Sequence, residues 1–98
     1  MFIWDNANLA HIARHGISSA EVEQVITNEP LDLEFQIRNG EERLVSVGET
    51  ATGRVLMVVT TFRDGATRVV TAFPAPKNIR QHYSAEKEKS DGEDPRDA

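Results

Sequence analysis

The chain has 98 residues, 39% of them hydrophobic, and a formal net charge of −5. That length holds one domain and leaves no room for a second core. The absence of cysteine excludes disulfides, thiolate metal sites and a cysteine nucleophile.

The opening MFIWDNAN has neither a basic n-region nor a long apolar h-region, and no later apolar run is long enough to span a bilayer. The expected compartment is the cytoplasm. Trp4-Asp5 reads as a helix start, with Asp5 as N-cap and Trp4 stapled to Leu9. Leu9, Ile12 and Ala13 fall on one face, and Gly16 supplies a left-handed stop. Ser18 with Glu21 is a capping box, and Val22, Val25 and Ile26 recur at helical spacing behind it. Asn28-Glu29-Pro30 ends this second helix, because the residue before proline avoids the α region.

The period then changes to two. Leu31, Leu33, Phe35 and Ile37 alternate with polar residues as in a half-buried strand. Asn39-Gly40 predicts a tight hairpin into RLVSVG. ETATGR is a longer turn, and VLMVVTTF is apolar enough to be a central strand covered on both faces. Asp64-Gly65 is a second hairpin turn, into TRVVTAF. Strand parity there puts Thr71 and Phe73 on one face and Val70 and Ala72 on the other, toward the helices. Pro74 and Pro76 stop the pairing, and a final helix is expected from Lys77 to about Lys87. The order predicts an α+β domain over residues 1–87: two N-terminal helices, a four-stranded antiparallel sheet and a C-terminal helix. Residues 88–98 read as an acidic, disordered tail. From Ala85 onward the chain holds six acids and three bases, so −3 of the −5 lies there and the folded part is nearly balanced.

Three groups of residues invite chemistry. His11 and His15 stand four apart on the first helix, a zinc-like spacing, but IAR between them lacks a metalloprotease glutamate and no third ligand is evident. The preferred reading is a surface histidine plus a helix-end histidine favoured by the helix dipole and the Gly16 cap. Glu41 and Glu42 beside the hairpin are charged residues of the kind that solvate a turn. The third group is Arg68, Lys77, Arg80, His82 and Tyr83. Metal-free RNA cleavage needs a base near the 2′-hydroxyl, a cation for the charge on phosphorus, and an acid for the leaving oxygen. Arginine suits the phosphate, and histidine or tyrosine can move protons or stack on a base. The simpler alternative is a solvated helix whose Ile79 and Tyr83 dock on the sheet.

A resemblance extends this reading. Trp4-Asp5, then His11-Ile12-Ala13-Arg14-His15-Gly16-Ile17-Ser18, then Glu21-Val22, resemble the opening of the BrnT-like toxin family. Gly40-Glu41-Glu42-Arg43, Gly53-Arg54-Val55-Leu56 and Arg68-Val69-Val70-Thr71-Ala72 resemble its hairpins, and Arg80 with Tyr83 its basic closing helix. The similarity runs in order over about residues 2–84. It implies a RelE-like fold and the toxin role in a type II toxin–antitoxin system. The implied activity is a metal-independent endoribonuclease that inhibits translation and uses no cofactor. The implied partner is a DNA-binding, BrnA-like antitoxin, through which the toxin can enter an oligomer. Under this resemblance Arg68, Arg80, Tyr83 and His82 are the catalytic candidates, and Arg43, Lys77 and Phe73 the RNA-binding ones. Two positions depart from the family pattern: Phe73 stands where an arginine is usual, and Ile79 where an acid usually precedes Arg80. That departure defines the alternative expectation, a degenerate toxin-like module that binds an antitoxin-like partner through an apolar patch at Phe73 and Ile79.

Overall fold

The computed structural model describes residues 1–92. Its elements are β1 (Phe2–Ile3), α1 (Asn6–Ala13), α2 (Ser19–Thr27), β2 (Leu31–Arg38), β3 (Glu41–Glu49), β4 (Val55–Arg63), β5 (Ala66–Pro74) and α3 (Lys77–Gly92). The sheet has five strands in the order β1-β5-β4-β3-β2. β2 to β5 form an antiparallel meander, whereas β1 pairs with β5 in parallel, Phe2 with Thr67 and Ile3 with Arg68. The sheet is therefore mixed and five-stranded, not four-stranded and antiparallel. Two residues ahead of a helix start carry no periodicity, so nothing in the pattern announces β1.

The local signals act as their chemistry requires. Asp5 caps α1 by accepting from the Asn8 backbone N–H at 2.8 Å. Ser18 and Glu21 form the reciprocal capping box of α2. Asn39-Gly40 and Asp64-Gly65 all have positive φ, the mirror-image turn whose twist matches two antiparallel strands. Leu9 does not share the buried face of α1; only Ile12 is buried there. α3 ends at Gly92, beyond the end expected near Lys87. The rest of the expected tail, residues 93–98, lies outside the described residues.

Helices cover both faces of the sheet. α1, α2 and the turn between them pack Ile12, Ile17, Val22 and Val25 onto Leu56, Val58, Val69 and Ala72. Gly48 lies beneath α2, where a Cβ would come within 3.0 Å of Val25 Cγ1. On the opposite face α3 sets Ile79 and Tyr83 against Val47, Met57 and Ala75, with Leu31, Leu33 and Phe73 around them. β4 is the middle strand, covered on both faces from Leu56 to Thr61 and exposed at Phe62 and Arg63.

Two β-bulges change which side chains share a face. One lies in β2 between Asp32 and Glu34. The other skips Val70 in β5, since Val59 pairs with Thr71 and Thr60 with Val69. Parity alone puts Val70 beside Ala72 toward the helices; the bulge puts fully buried Val69 there instead. The Val70 carbonyl is capped by the Asn8 side-chain amide, which donates to it at 3.1 Å.

Candidate functional site

α3 covers one end of its face. Beneath it runs the cross-strand row Val47–Met57–Phe73. The next row is Val45–Val59–Thr71, and the one beyond is Gln36–Arg43–Thr61–Arg68. The bulge at Val70 brings Arg68 onto this face; strict alternation from Phe73 would send it to the other side. Arg43 and Arg68 therefore flank Thr61 across three neighbouring strands, about 10 Å apart at their Cα atoms.

Carboxylates hold both guanidinium groups in place. Arg43 Nε donates to Glu41 Oε1 at 3.1 Å, and the other oxygen of Glu41 accepts from Arg63 Nη2 at 3.4 Å. Arg68 Nη2 donates to Asp5 Oδ2 at 3.1 Å. Asp5 is held below the ordinary aspartate range, first by the Asn8 backbone N–H and further by Arg68, against partial desolvation. These are the only hydrogen bonds of the two side chains among the described residues, so each keeps N–H donors for an incoming anion. Arg38, Arg43, Arg63 and Arg68 all point to this face, whereas the strands place no lysine or arginine on the α1/α2 face. The arrangement can receive an extended polyanion along the sheet.

The candidates from the closing helix lie elsewhere. Phe73 is about 15 Å along β5 from Arg68. It is half-buried beside α3, and its ring lies 6.4 Å from that of His15. Tyr83 is buried, and its hydroxyl lies 3.2 Å from Glu49 Oε1. Glu49 also binds Lys87, and that ammonium first, then the Tyr83 hydroxyl, keeps its carboxyl below the usual range. Ile79 is likewise taken into the packing. Lys77 and Arg80 line a shallow hollow on the outer side of α3 with Gln81 and Ser84, and Arg80 Nη1 donates to the Ala75 carbonyl at 2.7 Å. His82 is exposed on the same helix. Arg43 and Arg68 thus share one cross-strand row, whereas Lys77 and Arg80 form a separate group. Thr61 and Gln36 were not singled out from the sequence, and Asp5 and Glu41 were read only as a helix cap and a turn-solvating acid, because only the fold joins them to the arginines.

His11 and His15 stack edge to face at 5.5 Å. Among the described residues, no group of three or more His, Cys, Asp or Glu side chains is placed to hold a metal ion. Nor is any helix of these residues long and apolar enough to cross a membrane.

A family model described as the ribonuclease toxin, BrnT, of type II toxin–antitoxin systems matches residues 4–82. No curated protein gave a match. The chain belongs to the BrnT family of ribonuclease toxins, and that membership implies an antitoxin partner.

Proposed function

From that membership, we propose that this chain is a metal-independent endoribonuclease that blocks translation, with the open half of the α3 face as its RNA-binding surface. The observation that carries this reading is the Arg43–Thr61–Arg68 row. Two permanently charged forks at this spacing suit the phosphates of a single strand laid across the sheet. The chemistry proposed is attack by a ribose 2′-oxygen on the adjacent phosphorus. An O2′–P bond forms, the P–O5′ bond breaks, one proton leaves the 2′-hydroxyl and one reaches O5′. Arg68, with Arg43, would stabilise the extra charge on the phosphoryl oxygens. Arg80 and Lys77 would hold a more distant stretch of RNA. No side chain is assigned to the proton movements: Tyr83 is engaged by Glu49, and His82 lies on α3 with the separate group of Lys77 and Arg80.

The partner in this reading is a DNA-binding, BrnA-like antitoxin, the compartment is the cytoplasm, and the fold is read as RelE-like. The alternative of a degenerate module is less favoured, since Phe73 and Ile79 are both taken into the packing between α3 and the sheet.

The test is controlled induction in a bacterium, with RNA integrity followed in parallel. Wild type, Arg43→Ala/Arg68→Ala and Arg80→Ala are compared at matched soluble expression. The wild type should arrest growth and cleave RNA, the double variant should do neither, and Arg80→Ala should be weakened. Normal growth and intact RNA with well-expressed wild type would overturn the proposal.

A further inference from the structure

The α1/α2 face is also only half covered. Going outward from the helices, the next rows are Phe35–Leu44–Thr60–Val69, covered at its Val69 end and open at Phe35, and then Ile37–Glu42, with Phe62, Thr67 and Phe2 continuing the line. Phe35, Ile37 and Phe62 are 59%, 68% and 58% exposed. Together they show on the order of 350 Å² of apolar surface, the size of the largest patch on a typical monomer, which is often functional. The bulge in β2 is what creates this patch. Leu31 and Leu33 pack beside α3, and strict alternation would send Phe35 and Ile37 after them; the bulge turns both to the other face. The patch also runs out to β2, an eight-residue strand at the edge of the sheet.

The strand cations are confined to one face, which also carries Glu34, Glu41 and Glu49. All four strand arginines lie on the α3 face, while the α1/α2 face carries only Asp32 and Glu42 among the charged strand residues. Asp32 accepts from the Ser46 hydroxyl at 2.9 Å. Glu42 makes no ion pair among the described residues, pairs with Ile37 across the strands, and lines one depression with Phe62. An apolar surface with an acid in it repels RNA and suits a protein segment that brings apolar side chains and a lysine or arginine.

We propose that this surface, Phe35, Ile37, Leu44 and Phe62 around Glu42, is where the antitoxin docks, with a basic residue of the antitoxin set against Glu42. The proposal rests on the toxin reading, which supplies the partner. A second copy of this chain is the poorer occupant. The patch is less than half of the roughly 800 Å² per side of a standard interface, and two-fold pairing would bring like charges at Glu42 together. An antitoxin segment can extend past the patch along the open edge of β2.

The experiment uses the full chain co-expressed and titrated with the product of the small gene beside its own. Ile37→Asp/Phe62→Ser and Glu42→Lys change exposed side chains, so both variants should melt close to wild type and still cleave RNA. The expected result is at least a 100-fold weaker Kd for the double variant and about tenfold for Glu42→Lys. A lysine- or arginine-to-glutamate change in the antitoxin should restore binding to Glu42→Lys. Amide exchange on the wild-type complex should slow at residues 35–37 and 42–44. Affinities within twofold of wild type, or no protection there, would overturn the docking surface while leaving the toxin reading intact. A wild-type dimer split by Ile37→Asp would overturn it in favour of self-association. Wild type that neither cleaves RNA nor binds the neighbouring product would sink the toxin reading, and this proposal with it.

Discussion

Removing Arg43 and Arg68 one at a time and together should change how RNA binding responds to salt, by an amount the strand register sets. Each phosphate neutralised on a single strand adds about −0.7 to the slope of log K against log salt. Two arginines in one row then contribute about −1.4. A fourfold rise in salt weakens their joint contribution about 7-fold, and that of one alone about 2.6-fold. The probe is a 2′-O-methyl oligonucleotide, which lacks the attacking hydroxyl and survives the titration. Fluorescence anisotropy between about 50 and 200 mM salt gives the slope. Arg43→Ala and Arg68→Ala should each flatten it by about 0.7, and the double variant by about 1.4. Both ion pairs are partly exposed at the surface, so melting temperature should hardly move. The reasoning fails if neither variant alters the slope while Arg80→Ala or Lys77→Ala does. The polyanion would then lie along α3 and not across the sheet.

Gly48→Ala should lower stability by about 2 kcal/mol, roughly 10 °C in Tm, because the new Cβ would meet Val25 at 3.0 Å and Pro30 at 3.2 Å. A thermal melt equal to wild type would mean that α2 does not sit on β3 as described. Tyr83→Phe should keep most ribonuclease activity and lose about 1 kcal/mol of stability, since the hydroxyl serves Glu49; a collapse of kcat with an unchanged melt would return Tyr83 to the chemistry. Asp5, Glu21 and Glu49 all have lowered carboxyl pKa values, caused first by the Asn8 backbone N–H, the Ser18 backbone N–H and Lys87 respectively. A depressed carboxyl adds stability above its unfolded pKa and loses it as pH falls through the folded one. The urea midpoint should therefore be flat from pH 7 to about 5 and drop below about 4. Glu49→Gln should show a shallower drop, and a midpoint that rises on acidification would contradict these assignments.

Much of the fold was legible because its signals are local. The Asp5 cap, the Ser18–Glu21 box and the two hairpin turns each depend on residues within a few positions of one another, and each appears where the sequence puts it. The arginines were legible as a residue type suited to phosphate. Their grouping was not, because Arg43 and Arg68 meet only through β4. Tyr83 shows the reverse difficulty. Its spacing from Ile79 fits docking and its spacing from Arg80 fits a site, and only the cores on either side of the sheet decide for docking. β1 escaped because two residues have no period to read.

The two bulges mark where sequence reading stops, and they matter most for function. A strand pattern fixes faces only while alternation is unbroken, and one extra residue exchanges the faces from there on. In β5 the break at Val70 keeps Val69 in the core while bringing Arg68 round to the face of Arg43. In β2 the break near Leu33 leaves Leu31 and Leu33 beside α3 and turns Phe35 and Ile37 outward on the opposite side. With both strands regular, Arg68 would sit on the α1/α2 face, and Phe35 and Ile37 would crowd the arginine row. The bulges therefore do one job between them: they sort cations to one side of the sheet and exposed apolar groups to the other. Under the proposed functions that division keeps a surface that would hold RNA by charge apart from one that would hold the antitoxin by apolar contact. Deleting Val70 would test the sorting directly. Without the extra residue Val69 stays opposite Thr60 and Arg68 opposite Thr61, so the shortened strand should keep the RNA salt slope attributed to Arg68, provided that far-ultraviolet circular dichroism shows the sheet intact; loss of that slope in a folded variant would mean that this register does not set the face of Arg68.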